Sequence, residues 1–259
     1  SQIWLQNAGF VWVPFILLST LCAWFGMNDI DSAKASFKDQ AVIFKRKHNW
    51  LMCWLYIGTF GSFIGFAAGF ALLTKQVFPA IDPSKLAFLG PLVGALMRVV
   101  GGWLSDKFPA SKVTQASFII MILAVIGVMI FLPQNGQGGS FIGFFASFML
   151  LFAATGIGNA STFAQAPRIF SALHRHHAKV FGLSEAEADN NAAKESAAVV
   201  GFMGAVGAYG GFFIPKSFGT SIDLTGSAMM ALICFILFYC CCIAINWWFY
   251  ARKNAEVKC

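Results

Sequence analysis

The chain has 259 residues, 58% of them hydrophobic and only 11% charged, with a mean hydropathy of +0.70, whereas an ordinary soluble domain carries about 25% charged residues. That composition excludes a water-soluble globule and assigns the chain to the lipid bilayer. The formal charge of +7 does not point to nucleic acid, because the positive residues lie in loops beside apolar runs, where lysine and arginine set topology.

In chain order, seven apolar runs are long enough to span about 30 Å of hydrocarbon: Gly9 to Met27, Asn49 to Thr74, Leu86 to Leu104, Val113 to Leu132, Phe141 to Pro167, Ala197 to Phe218 and Gly226 to Tyr250. The connections alternate in charge. The loop Asn28 to His48, the turn Ser105 to Lys112, the polar segment Arg168 to Ser196 and the C-terminal tail carry fourteen Lys and Arg residues, against three (Lys75, Lys85, Lys216) on the other side. This imbalance assigns the basic side, and with it the C-terminus, to the cytoplasm. Asp82-Pro83 and Pro133 to Gly139 read as tight external turns. The expected fold is all-α, with seven transmembrane helices. An odd number of spans beginning outside fits the last helix of one bundle (1–27), a cytoplasmic linker (28–48) and a six-helix bundle with its tail (49–259).

One cation, Arg98, falls inside the third run, in Phe88 to Lys107, FLGPLVGALMRVVGGWLSDK. A guanidinium at bilayer depth costs about 2.5 to 3.5 kcal/mol on the insertion scale, so it marks a functional site and requires a counter-charge. Gly90, Gly94, Arg98 and Gly101 recur at helical spacing, placing the cation on a stripe of small residues. All eleven acids and all four histidines fall outside the seven runs. An external anion is therefore the economical partner, and a carboxylate or imidazole proton relay has no components here.

Three further stretches offer groups for such an anion. In the second run Tyr56 and Phe60 lie one turn apart, with Gly61, Gly65 and Gly69 on a neighbouring stripe; Tyr56 can donate a hydrogen bond and Phe60 can exclude water, although both also serve as packing aromatics. The fifth run contains TGIGNASTF, whose Asn159 and Ser161 suit either a substrate in an interrupted helix or helix–helix hydrogen bonding. The sixth contains GFMGAVGAYGGFFIP, with Gly201, Gly204, Gly207, Gly210 and Gly211, dense enough for bare backbone to receive a long side chain. The tract His174-Arg175-His176-His177 reads as a solvated basic patch rather than a metal site, and the seven cysteines read as packing thiols. No metal or cofactor is expected.

Gly102-Trp103-Leu104-Ser105-Asp106-Lys107 resembles the G-x-x-x-D-[RK] loop signature of the major facilitator superfamily. With GPLVGALMRVVGGWLSDK, GIGNASTF and GFMGAVGAYGGFFIPKSFG in order, the whole chain resembles the C-terminal half of a NarK-type nitrate/nitrite porter. The resemblance implies a twelve-helix inner-membrane transporter of two halves, in which an arginine from each half grips the planar oxyanion between aromatic rings. On that basis Arg98 is the anion clamp of this half. Tyr56 and Phe60 are its walls, Gly201 with Gly204 its close backbone surface, Asn159 a further contact, and Gly102, Asp106 and Lys107 a conformational latch. Nitrate and nitrite are the implied substrates, and the first half is absent; with no titratable acid in the apolar runs, exchange of the two is expected over proton symport. The alternatives are a facilitator half for another small anion such as a carboxylate, a nitrate/proton symporter, and a truncated, non-transporting assembly subunit in which Arg98 pairs with an acid of its partner.

Overall fold

The computed structural model describes residues 6–28, 40–133, 138–182, 184–257 and 259. Most of the expected linker, including Lys34 and Lys38, and the middle of the expected turn after Pro133 lie outside the described residues. The chain divides into two compact units, Ser1–Ser36 and Phe37–Cys259.

The first unit holds two helices, α1 (Gln6–Phe10) and α2 (Trp12–Gly26), where the sequence suggests one span from Gly9 to Met27. Pro14 explains the interruption, since it has no N–H to give to the Phe10 carbonyl one turn back. At 1.5 Å per residue, the 15 residues of α2 cover about 22 Å, less than the hydrocarbon layer.

The second unit opens with a 3₁₀ turn, Ala41–Lys45, and continues as α3 (Lys47–Tyr56), a π-helical segment Ile57–Gly61, and α4 (Ser62–Val77). Then follow α5 (Leu89–Lys107), α6 (Ala110–Phe131), α7 (Phe141–Phe181), α8 (Glu185–Ala208), α9 (Gly210–Thr225) and α10 (Met229–Asn246), the last running into a π segment at Trp247–Ala251. Joined where they run on, these make six helices long and apolar enough to cross a membrane: Lys47–Val77, Pro83–Lys107, Ala110–Phe131, Phe141–Phe181, Glu185–Thr225 and Met229–Ala251.

The polar segment Arg168 to Ser196 is helical nearly throughout. α7 carries straight on past Pro167 to Phe181, where Gly182 closes it in the left-handed conformation at φ 68°. α8 starts immediately, with the Ser184 hydroxyl accepting from the Glu187 N–H at 3.2 Å, a capping arrangement spelled S-E-A-E in the sequence. The 41 residues of α7 span about 61 Å, twice the hydrocarbon layer, so its basic end projects well beyond the apolar zone.

Two kinds of glue hold the bundle. At the end away from the basic loops, phenylalanines interlock: Phe70 meets Phe148 at 5.1 Å between centroids, Phe66 meets Phe235 at 5.7 Å and Phe144 meets Phe148 at 4.9 Å. Such edge-on and tilted pairs add to the close packing that drives association where lipid is as apolar as protein. Toward the basic end, buried hydroxyls and amides cross-link helices. Thr59 bonds Thr162 at 2.9 Å, Thr114 bonds Ser161 at 2.7 Å, and Gln165 donates to Thr114 at 2.6 Å. Asn246 donates to the Ser111 carbonyl at 2.8 Å, and Ser62 meets Tyr239 at 2.7 Å.

The C-terminal tail folds back on this end. Val257 is buried, and Lys47 donates to Glu256 at 2.6 Å. His48, placed outside the spans by the sequence reading, sits buried in the first turn of α3, against Tyr250 at 3.0 Å and Glu256 at 3.4 Å. The Lys47 hydrogen bond, opposed by partial desolvation, holds the Glu256 carboxyl below the usual carboxylate range. Tail docking is therefore at full strength above the ordinary glutamate value of about 4.3 and weakens as pH falls through the lowered folded-state value. Limited proteolysis of the tail between pH 7 and pH 3 should show protection lost only at the acid end. Glu256→Gln should be more susceptible at neutral pH and converge with the parent at pH 3.

Candidate functional site

α5 is laid down by its ends. Pro91 occupies the first turn, where a missing N–H costs little, and Phe108 is extended ahead of Pro109, which stops the helix. Gly90, Gly94, Gly101 and Ser105 form its buried face. A Cβ on Gly101 would stand 2.7 Å from both the Cα and the carbonyl oxygen of Ile157, so α5 and α7 meet nearly backbone to backbone. Arg98 does not share this seam. It is exposed at the seam's edge, where the sequence spacing had placed it on the stripe. Its guanidinium carbon lies 6.0 Å from the centre of the Phe163 ring on α7, at the outer range of a cation–π contact.

Among the described residues no carboxylate forms an ion pair with Arg98; the acids pair at the basic end instead, Glu195 with Arg46, Glu256 with Lys47, Asp106 with Arg168 and Asp189 with Arg175. Tyr56 is buried and donates to Asn159 Oδ1 at 3.0 Å. Asn159, 1% exposed, has its amide nitrogen without any hydrogen-bond partner. Leaving such a donor unmet costs about 1–3 kcal/mol.

Tyr56 and Phe60 stack at 4.9 Å with 24° between their planes. The π segment Ile57–Gly61 starts right after Tyr56 and contains Phe60; a single wide turn of this kind re-aims side chains and recurs at functional sites. Behind it, Thr59 joins Thr162, and a Cβ on Gly158 would come 2.8 Å from the Thr59 methyl, fixing α7 against the wide turn. The structure thus joins Tyr56, Phe60 and Asn159 on α3 with its π turn and α7, and sets Arg98 of α5 beside Phe163, one turn beyond Asn159 on α7. α7 is uninterrupted through Gly156–Phe163, in place of the broken helix suggested by its glycines. The break falls at Tyr209, between α8 and α9.

Gly201 and Gly204 have no atom within 4 Å of where a Cβ would be, so they are not the backbone surface closest to the aromatic pair. That surface is Gly207, whose Cβ would stand 2.9 Å from Phe60 and 3.0 Å from Tyr56. In the sequence Gly207 is one of five glycines offered as bare backbone and is not singled out, and Phe163 carries no assigned contact; Gly207 follows Gly204 by three residues, and Phe163 follows Asn159 by four, so helical spacing brings each toward the site. Gly207→Ala should leave the melting temperature within a few degrees, since the rings can yield. By tilting Tyr56 it should weaken the hold on a small anion at Arg98 about tenfold, near 1.4 kcal/mol, as read by anion titration.

The motif residues after Arg98 diverge in their surroundings. Asp106 lies 3.4 Å from Arg168, whose guanidinium also donates to the Ser105 carbonyl at 2.8 Å, so the turn is tied to α7. Lys107 caps the Trp103 ring at 4.1 Å, and Gly102 has open space around it.

No family model matches the chain. It is 47% identical over 256 residues to the nitrate/nitrite transporter NarU of Salmonella typhimurium, covering 99% of this chain and 55% of that protein. NarU of Escherichia coli is 46% identical over 259 residues, covering 100% and 56%. The probable nitrate/nitrite antiporter NarK2 of Thermus thermophilus is 38% identical over 263 residues, covering 100% and 54%. The chain is homologous over its whole length to nitrate/nitrite transporters of the NarK type. It spans about half the length of the curated relatives it matches, whose names describe transporters and antiporters rather than enzymes. The all-helical architecture with six apolar spans and one shorter helix fits half of such a transporter.

Proposed function

We propose that the chain supplies the C-terminal half of a nitrate/nitrite transporter of the bacterial inner membrane, with its C-terminus in the cytoplasm, completed by an N-terminal six-helix half from the same gene or a separate chain. Arg98 grips the oxyanion, Phe60 and Phe163 exclude water, and Tyr56 holds Asn159 so that its free amide N–H meets one anion oxygen. The observation that carries this reading is the coincidence, among the described residues, of an exposed guanidinium without a carboxylate and a buried amide donor without an acceptor. One flat trigonal anion satisfies both. Guanidinium and nitrate are planar and form parallel N–H···O bonds, and a low-dielectric wall strengthens their attraction.

The two halves rock about this site, exposing it alternately to either side. Exchange is favoured over proton symport because the carboxylates of the apolar helices stand only at their ends: Asp106 in the last turn of α5, Glu185 to Glu195 in the opening turns of α8, and Asp223 near the end of α9. Asp106, with Arg168 and Lys107, is the latch that fixes one orientation of the turn. Reconstitution with the N-terminal half should give counterflow of nitrate against nitrite without acidification of the lumen. Preference for formate would favour a carboxylate facilitator, and proton entry with nitrate would replace exchange by symport. Absence of all flux would leave an assembly subunit.

A further inference from the structure

A second cavity, of about 630 Å³, lies at the basic end, between the 3₁₀ turn at Ala41–Lys45, the start of α3, the far end of α7, the start of α8 and the tail. Its wall contains two carboxylates, and both are already neutralised. Glu195, only 9% exposed, is held by Arg46 and His174, each at 2.6 Å. Glu256 is held by Lys47 at 2.6 Å and His48 at 3.4 Å. These pairs brace the rim without repelling an anion inside it. Lys45, His176 and His177 line the same cavity, and none is bonded to a carboxylate among the described residues. Phe170 and Leu173 supply an apolar floor, and the His177 and Phe181 rings lie 4.3 Å apart at the mouth.

The volume falls within the range of about 300–1,000 Å³ that holds organic ligands, and far exceeds the roughly 30 Å³ share of one water. A bare oxyanion would leave most of it empty. We propose that this cavity binds a soluble organic phosphate, its phosphoryl oxygens taken by Lys45, His176 and His177 and its apolar or planar part lying on Phe170, Leu173 and Phe181. The position favours a soluble source over a lipid headgroup. Arg168 and Asp106 mark the edge of the apolar zone, and His176 stands eight residues farther along α7, about 12 Å, past a headgroup layer of about 5–8 Å. The bound ligand would tie the threshold of α3 to the end of α7, two of the elements that carry the anion site. On the topology proposed above it faces the cytoplasm.

The test is a titration of the detergent-purified chain, by calorimetry and thermal shift, with adenosine 5′-monophosphate and with inorganic phosphate, alongside incorporation into nanodiscs with and without phosphatidylglycerol. The nucleotide should bind and raise the melting temperature, and inorganic phosphate should bind at least tenfold more weakly. The triple variant Lys45→Ala/His176→Ala/His177→Ala should weaken nucleotide binding at least tenfold while leaving its ligand-free melting temperature and nitrate affinity unchanged, whereas Lys75→Ala at the opposite end should bind like the parent. Equal affinity for inorganic phosphate, a response to phosphatidylglycerol alone, or nucleotide binding indifferent to the triple variant would each overturn the proposal. None of these outcomes depends on nitrate transport.

Discussion

Arg98→Ala is expected to abolish measurable nitrate affinity while leaving the fold intact. Two charge-assisted hydrogen bonds, each worth about 1.5–3 kcal/mol, disappear together, so the loss is at least about 3 kcal/mol, a factor of about 150. Stability should not follow, because the guanidinium is exposed and, among the described residues, touches only the Phe163 ring, at 6.0 Å. Arg98→Lys retains the charge but replaces a planar fork by a point donor, and should recover only part of the affinity, staying about tenfold or more below the parent. Isothermal titration with nitrate and a thermal melt on the same preparations separate the two quantities. Retained nitrate affinity in Arg98→Ala would remove the clamp from the proposed site. A melting temperature lowered in step with affinity would mean that the arginine holds the bundle together instead.

Most of the fold could be read from composition, because length and apolarity are nearly sufficient to define a membrane helix. The misreadings share a cause. Where the sequence turns polar, at Arg168 to Ser196, the hydropathy signal ends but the helix does not, since alanine-rich polar stretches keep their propensity in water. The signals that extend it are local, namely Gly182 closing α7 and the Ser184 cap opening α8. Arg98, Tyr56 and Asn159 stand out because a charge, a scarce phenol and an amide are conspicuous in an apolar run, and Phe60 only through its place one turn from Tyr56. The close backbone surface at Gly207 does not, as one glycine among five cannot be ranked by composition. Which one meets the aromatic pair depends on the angle between α8 and α3, and on the π turn that rotates Phe60 beneath Tyr56. No periodicity argument anticipates an extra residue in a helical turn.

The same logic separates two adjacent glycines, and the second large effect is expected there. At Gly101 a new Cβ would meet the Cα and carbonyl oxygen of Ile157 at 2.7 Å; both are backbone atoms, so no rotamer change relieves the contact and α5 must move away from α7. Gly101→Ala should therefore destabilise by about 1–3 kcal/mol, the usual cost of overpacking. Gly101→Leu should prevent the α5–α7 seam from closing, with aggregation on size exclusion. At Gly102 nothing lies within 4 Å, so Gly102→Ala gains the helix propensity of alanine, up to about 1 kcal/mol, without a clash. Its melting temperature should equal or exceed that of the parent. Adjacent residues of one type thus respond with opposite signs, and only the packing differs between them. Should Gly101→Ala melt no lower than Gly102→Ala, α5 and α7 do not pack through that glycine, and the position assigned to Arg98 at the edge of their seam loses its support.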